Sequence, residues 1–123
     1  MPLDWKSGAL AEGLKCYRDG EFFLAHEHWE SVWLRLEEPE KSFLQALIQT
    51  TAAFHHFQAG NSAGAASLLR RALRRLERCS ASFGGVATET LCDEVRAWLQ
   101  ALEGRDGLVP ETAPEIGLEG AYD

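Results

Sequence analysis

The sequence predicts an all-α fold: a five-helix bundle around one central uncharged helix, with helices paired into tetratricopeptide-like hairpins. Three observations predict it. Residues 42–69 contain no Asp, Glu, Lys or Arg, in a chain that is otherwise 25% charged. A helix apolar nearly all round is normally buried, so this stretch has neighbours on most sides. Elsewhere apolar residues recur at helical spacing, and the period-two alternation of strands is absent. Glycine or proline stands between the apolar runs, where helices stop and start.

The first helix starts at Asp4 or Ser7 and runs to Asp19, with Leu10, Leu14 and Tyr17 on one stripe and Gly20 as its stop. The second starts at Glu21, aligns Phe22, Ala25, His26, Trp29, Trp33 and Leu36, and ends near Glu37. Pro39 suits the first turn of the third helix, where a missing N–H is harmless. On that helix Leu47, Phe54 and Phe57 cluster within about 40° of Phe43, and Leu44 and Ile48 widen the arc. Opposite them Gln45, Gln49 and His56 form a narrow hydrogen-bonding stripe flanked by Ala46, Ala52 and Ala53. Gly60 ends the third helix, and Asn61 caps a fourth that runs to about Arg78. Residues 80–87, with Gly84-Gly85, read as a loop or a short turn of helix. Thr88 or Thr90 caps a fifth helix, striped by Leu91, Val95, Trp98, Leu99 and Leu102 and ended by Gly104.

Residues 1–104 thus read as a single helical domain and residues 105–123 as an extended or flexible C-terminal tail. Because the tail keeps Leu108, Val109, Ile116, Leu118 and Tyr122, it is expected to lie along the bundle or a partner subunit. At 123 residues the chain can bury one core without disulfides or metal. Its net charge of −7 argues against general attraction to nucleic acid or anionic lipid. Cys16, Cys79 and Cys92 are odd in number and at no metal spacing, so they read as reduced, buried thiols. The start MPLDWKSG lacks the features of a signal peptide, and Gln45, Gln49, His55 and His56 would be costly in lipid. The expectation is a cytoplasmic protein with no membrane span.

A faint internal repeat underlies the helices. Shifted by forty residues, Leu14, Tyr17, Gly20, Ala25, Trp29, Trp33 and Leu36 fall on Phe54, Phe57, Gly60, Ala65, Leu69, Leu73 and Leu76. Each copy is a helix, a glycine turn and a helix opening toward a small alanine.

Residues 22–33 (FFLAHEHWESVW), 43–56 (FLQALIQTTAAFHH) and 60–69 (GNSAGAASLL) resemble, in this order, the three motifs of the domain-of-unknown-function family 309. The likeness extends over about residues 10–102. It implies a small cytoplasmic helical bundle and imports no reaction. Ala46 stands where the family usually has Gly, which loosens the closest helix approach. The pair His55–His56 leaves open which histidine matches the family position.

Candidate binding or polar-network residues are His26, Glu27, Glu30, Trp33, Gln45, Gln49, His56 and Asn61. His26, Glu30 and Trp33 fall within about 60° on the second helix. If that helix packs on the third, His26 and Glu30 can face Gln45, Gln49 and His56. Two imidazoles and a carboxylate (His26, Glu30, His56) would suit zinc or iron, with the glutamines behind them. The plainer reading is a hydrogen-bonded network that docks two helices, because an orphaned buried group costs about 1–3 kcal/mol. Spacing favours the plainer reading: Glu30 stands where an HExxH motif needs His, and alanines stand where a di-iron signature needs Glu. Glu27, off the apolar stripe, reads as a solvated carboxylate or one reaching a helix N-terminus such as that at Asn61. Arg70, Arg71, Arg74, Arg75 and Arg78 share one arc of the fourth helix. They could grip phosphates, but no aromatic interleaves with them, so they read as a solvated face paired with Glu37, Glu38 or Glu40 or with another subunit. Trp5, Trp29, Trp33 and Trp98 read as core or rim residues.

Two functions of different class follow. One is a non-enzymatic interaction or scaffold domain, self-associating or binding another protein, with no cofactor. The other is a metal- or small-ligand-dependent activity between the second and third helices. No serine, cysteine or lysine sits in a nucleophile context, and no catalytic residue is assigned.

Overall fold

The computed structural model describes residues 3–104 and 108–119. It holds five helices, α1 (Gly8–Arg18), α2 (Phe22–Trp33), α3 (Glu40–Gln58), α4 (Ser62–Leu76) and α5 (Thr88–Glu103). Among the described residues no strand forms; Val86 alone makes isolated bridges, to Phe83 and Leu118. The fold is all-α, as the sequence predicts. No helix of the described residues is long and apolar enough to cross a membrane.

The α1–α2 and α3–α4 turns are built on one template. In the first, Asp19 N–H donates to Lys15 O, Gly20 N–H to Tyr17 O and Glu21 N–H to Cys16 O. In the second, Ala59 N–H donates to His55 O, Gly60 N–H to Phe57 O and Asn61 N–H to His56 O. Every donor and acceptor is displaced by the same forty positions (Glu21 to Asn61, Cys16 to His56). Gly20 and Gly60 carry φ of +80° and +84°, a backbone region costly to other residues, and so close the last turn of each first helix. One turn further on, Ala25 and Ala65 are both buried, as are Trp29 and Leu69 after them.

α3 packs on α2 and on α4; α1 packs on α2 and α5 on α4. The central placement of the uncharged helix is therefore observed. Phe43, Leu44, Ala46, Leu47, Ile48, Ala53 and Phe54 are all buried. Thr50 and Thr51 are buried too, and stay satisfied by donating to Ala46 O at 2.9 Å and Leu47 O at 2.8 Å. These back-bonds let polar side chains enter the core without partners from another helix.

The indole N–H groups tie separate elements together: Trp5 to Gly84 O, Trp29 to Leu10 O, Trp33 to Lys41 O and Trp98 to Thr112 O. Trp5, Trp29 and Trp98 are buried and Trp33 is half-buried, so core and rim describe them well.

Residues 108–119 lie extended against α1, α5 and the 83–87 loop. Tyr17 Oη donates to Pro114 O, Arg18 to Ile116 O, and Ala87 N–H to Gly117 O. Ile116 is fully buried, whereas Leu108 and Val109 are exposed. The expectations for residues 105–107 and for Tyr122 fall outside the described residues.

Three boundaries differ from expectation. α2 stops at Trp33 rather than near Glu37, because Arg35 and Leu36 bond to the carbonyls three residues back, which turns buried Leu36 inward. α4 stops at Leu76, not Arg78, in a similar tightening at Arg78 and Cys79. Neither threonine caps α5: Ala87 precedes it, and Thr88, its first residue, donates its hydroxyl to Val86 O at 3.2 Å.

Candidate functional site

His26 lies on α2 with its side chain 31% exposed, and its Nδ1 is 3.4 Å from Glu30 Oε2, one helical turn on. This pair faces partly into solvent, where such contacts contribute little. Glu27 is exposed and makes no hydrogen bond or ion pair with another described residue. It does not cap α4. That role belongs to Asn61, whose Oδ1 accepts the Gly64 N–H at 2.9 Å while its Nδ2 lies 3.3 Å from His56 Nδ1. Asn61 thereby joins the C-terminus of α3 to the N-terminus of α4. Trp33 donates to Lys41 O, and the Lys41 ammonium sits 4.4 Å from the centre of its ring, a cation–π contact. Gln45 is half-buried on α3.

The side chains expected to converge between α2 and α3 occupy three separate places. His26 pairs with Glu30, His56 with Asn61, and Gln49 turns toward α4. Among the described residues no group of three or more His, Cys, Asp or Glu is placed to hold a metal ion. The reason is geometric: the wheel ranks angles around one helix but does not say which neighbour occupies each.

Gln49 lines a recess of about 300 Å³ with Arg71, Arg74, Arg75 and Arg78. Its Oε1 is buried with no hydrogen-bond partner, the sole side-chain atom in that condition among the described residues. Beside it a larger recess of about 450 Å³ shares Arg75 and Arg78 and is otherwise faced by Pro39, Phe43, Cys79 and Phe83, with Glu38, Ser42 and Ser80 also in its lining. The Phe43 and Phe83 rings are in contact, centres 5.1 Å apart.

The arginine face is only partly neutralised. Ser42 N–H and Oγ donate to Glu38, and these bonds, with the Arg75 and Lys41 charges, hold its carboxyl below the usual range. Arg75 reaches the same Ser42 Oγ at 3.5 Å, so it is linked to Glu38 through the hydroxyl. Arg70 pairs with Glu103 of α5 at 3.2 Å. Arg71, Arg74 and Arg78 form no ion pair with a described residue. Sequence reasoning saw the arginine face and saw Gln49, but not that one recess holds both.

Residues 10–68, about half of the chain, match the model of a family described as Domain of unknown function (DUF309). The chain resembles DUF309. The DUF309 match spans α1, α2, α3 and the first half of α4, so it includes every residue from His26 to Asn61 discussed above. Arg70 to Arg78 and α5 lie beyond it. A protein of Aquifex aeolicus (strain VF5), named only as an uncharacterized protein, is 32% identical over 96 residues. That alignment covers 77% of this chain but 28% of the Aquifex protein, so the chain spans about a quarter of this relative's length.

Proposed function

We propose that this chain is a non-enzymatic interaction module that self-associates through the outward face of α2. The observation that carries the reading is the exposure of Phe23, Leu24 and Leu34, at 56%, 48% and 67%, on and just after that helix. Phe23 and Leu34 fall on one side with Glu27 and Glu30. The exposed ring of Phe23 also meets His55 of α3, centres 5.6 Å apart, which extends the surface onto a second helix. A contiguous exposed apolar patch on a soluble protein marks an interaction surface. The Aquifex relative supports the idea of a module, since a similar unit there occupies a minor part of a longer protein. Cys16, Cys79 and Cys92 are all free thiols, which supports placing the protein in the reducing cytoplasm.

Sedimentation equilibrium tests the reading. Wild type should show a concentration-dependent dimer, and the double variant Phe23→Ser, Leu34→Ser should be monomeric, with the melting temperature that wild type shows at concentrations too low for it to dimerise. A wild type that stays monomeric at the highest soluble concentration, or a double variant that still dimerises, refutes it.

A further inference from the structure

On the opposite side of α3, the two adjoining recesses combine three features. The first is charge without partners. Arg71 and Arg74, three residues apart on α4, and Arg78 just beyond it make no ion pair with a described residue, although the chain as a whole carries −7. Like charges at this spacing repel, and an anion among them would relieve that repulsion. The second is the buried, unpartnered Oε1 of Gln49, a residue only 9% exposed, which lines the same recess. The third is the apolar wall of Phe43 and Phe83 directly beyond Arg75 and Arg78.

We propose that the joined recess binds a small phosphomonoester with an apolar or aromatic body, its phosphate among Arg71, Arg74 and Arg78 and its body against Phe43 and Phe83. A carboxylate head would engage one guanidinium fork, whereas a phosphate monoester has three terminal oxygens and a charge of about −1.5 to −2, which suits three cations. Glu38 does not oppose this. Its carboxylate accepts two bonds from Ser42, and its charge is directed at Arg75, the arginine that does not belong to the head-group set. Gln49 Oε1 is an acceptor and so does not bind the phosphate itself. It is satisfied by an N–H of a guanidinium drawn inward by the anion, which makes Gln49 a positioning residue that aims the fork. The surface is separate from the α2 face, so a failure here leaves the self-association reading intact, and the converse holds.

Titrations of the full chain at physiological ionic strength test this, followed by NMR of the arginine side-chain N–H groups and the Gln49 amide. The probes are phenyl phosphate, inorganic phosphate, benzoate and phenol. Phenyl phosphate should shift the signals of Arg71, Arg74, Arg78 and Gln49 saturably and bind at least about tenfold tighter than the other three. Arg74→Ala and Arg78→Ala, both at exposed positions, should each weaken it about tenfold without changing the melting temperature. Gln49→Leu removes an unsatisfied buried atom, so it should preserve or raise stability while weakening phenyl phosphate several-fold. A purely structural glutamine would give no such split. Equal, non-saturating shifts with every anion, or benzoate binding as tightly as phenyl phosphate, would each overturn the proposal.

Discussion

Gly13 on α1 is buried, and a Cβ placed on it would stand 2.2 Å from Trp29 Nε1, 2.4 Å from Cδ1 and 2.8 Å from Cε2. The ring has nowhere to retreat. Trp29 is fully buried, its Nε1 donates to Leu10 O at 3.1 Å, Trp5 meets it edge-on and Tyr17 stacks on it. Gly13→Ala would gain about 0.5–1 kcal/mol of helix propensity. Against that, overpacking costs about 1–3 kcal/mol, and detaching the buried indole from Leu10 costs about 1–3 kcal/mol more. The balance is a net loss of about 1–5 kcal/mol, read as a fall in the urea midpoint by far-ultraviolet circular dichroism. A cycle with Trp29→Phe isolates the cause. Phenylalanine lacks the pyrrole edge that the new methyl strikes, so Gly13→Ala in that background should be neutral or stabilising, and the coupling should equal at least the whole loss seen in wild type. If Gly13→Ala is as stable as wild type, or equally damaging in both backgrounds, the close packing of α1 on α2 has been misread.

Leu47→Ala at the centre of α3, where the side chain is wholly buried, should lower unfolding free energy by about 2–5 kcal/mol, as should Phe54→Ala. A variant that melts like wild type would contradict the central placement of that helix. Asn61→Ala removes the cap of α4 together with its contact to His56, and should cost about 0.5–2 kcal/mol, with amide exchange accelerated first at Gly64. Tyr17 supplies a pH dependence. Burial, reinforced by the Glu94 charge, pushes its phenol well above the ordinary value of 10.0. Above pH 10 the unfolded chain therefore releases a proton that the folded chain retains, and stability falls as pH rises, by at most about 1.4 kcal/mol per unit from this group. Burial also raises the Cys79 and Cys92 thiols, which act in the same direction. Tyr17→Phe should flatten the decline relative to wild type in denaturant titrations across that range; an identical slope would remove Tyr17 as its source.

Periodicity and punctuation carried much of the architecture, because helix and turn formation are largely local. Gly20 and Gly60 sit where a positive φ is needed, and the matched turn bonds around them follow from residues only a few positions apart. The charge-free run likewise marked α3 as central, since no single arrangement with water on one side suits it. Errors gathered where local rules compete with packing. Leu36 turns into the core and shortens α2, and Ala87 takes the position expected of a threonine cap. The docking of residues 108–119 depends on carbonyls meeting Tyr17, Arg18 and Trp98, which are far away in the chain, and no local pattern announces that.

By itself, then, the amino-acid order determined that the chain forms helices, where most of them turn, which helix is shielded, and which family it resembles. Folding in three dimensions decided which polar side chains meet. Gln49 and His56 share a stripe on paper, yet one turns to the arginines of α4 and the other to Asn61 at the adjoining turn. A helical wheel carries angles about one axis, whereas a site needs the distance and tilt between two, and those are set by the packing of side chains such as Trp29, Phe43 and Leu69 across the whole bundle.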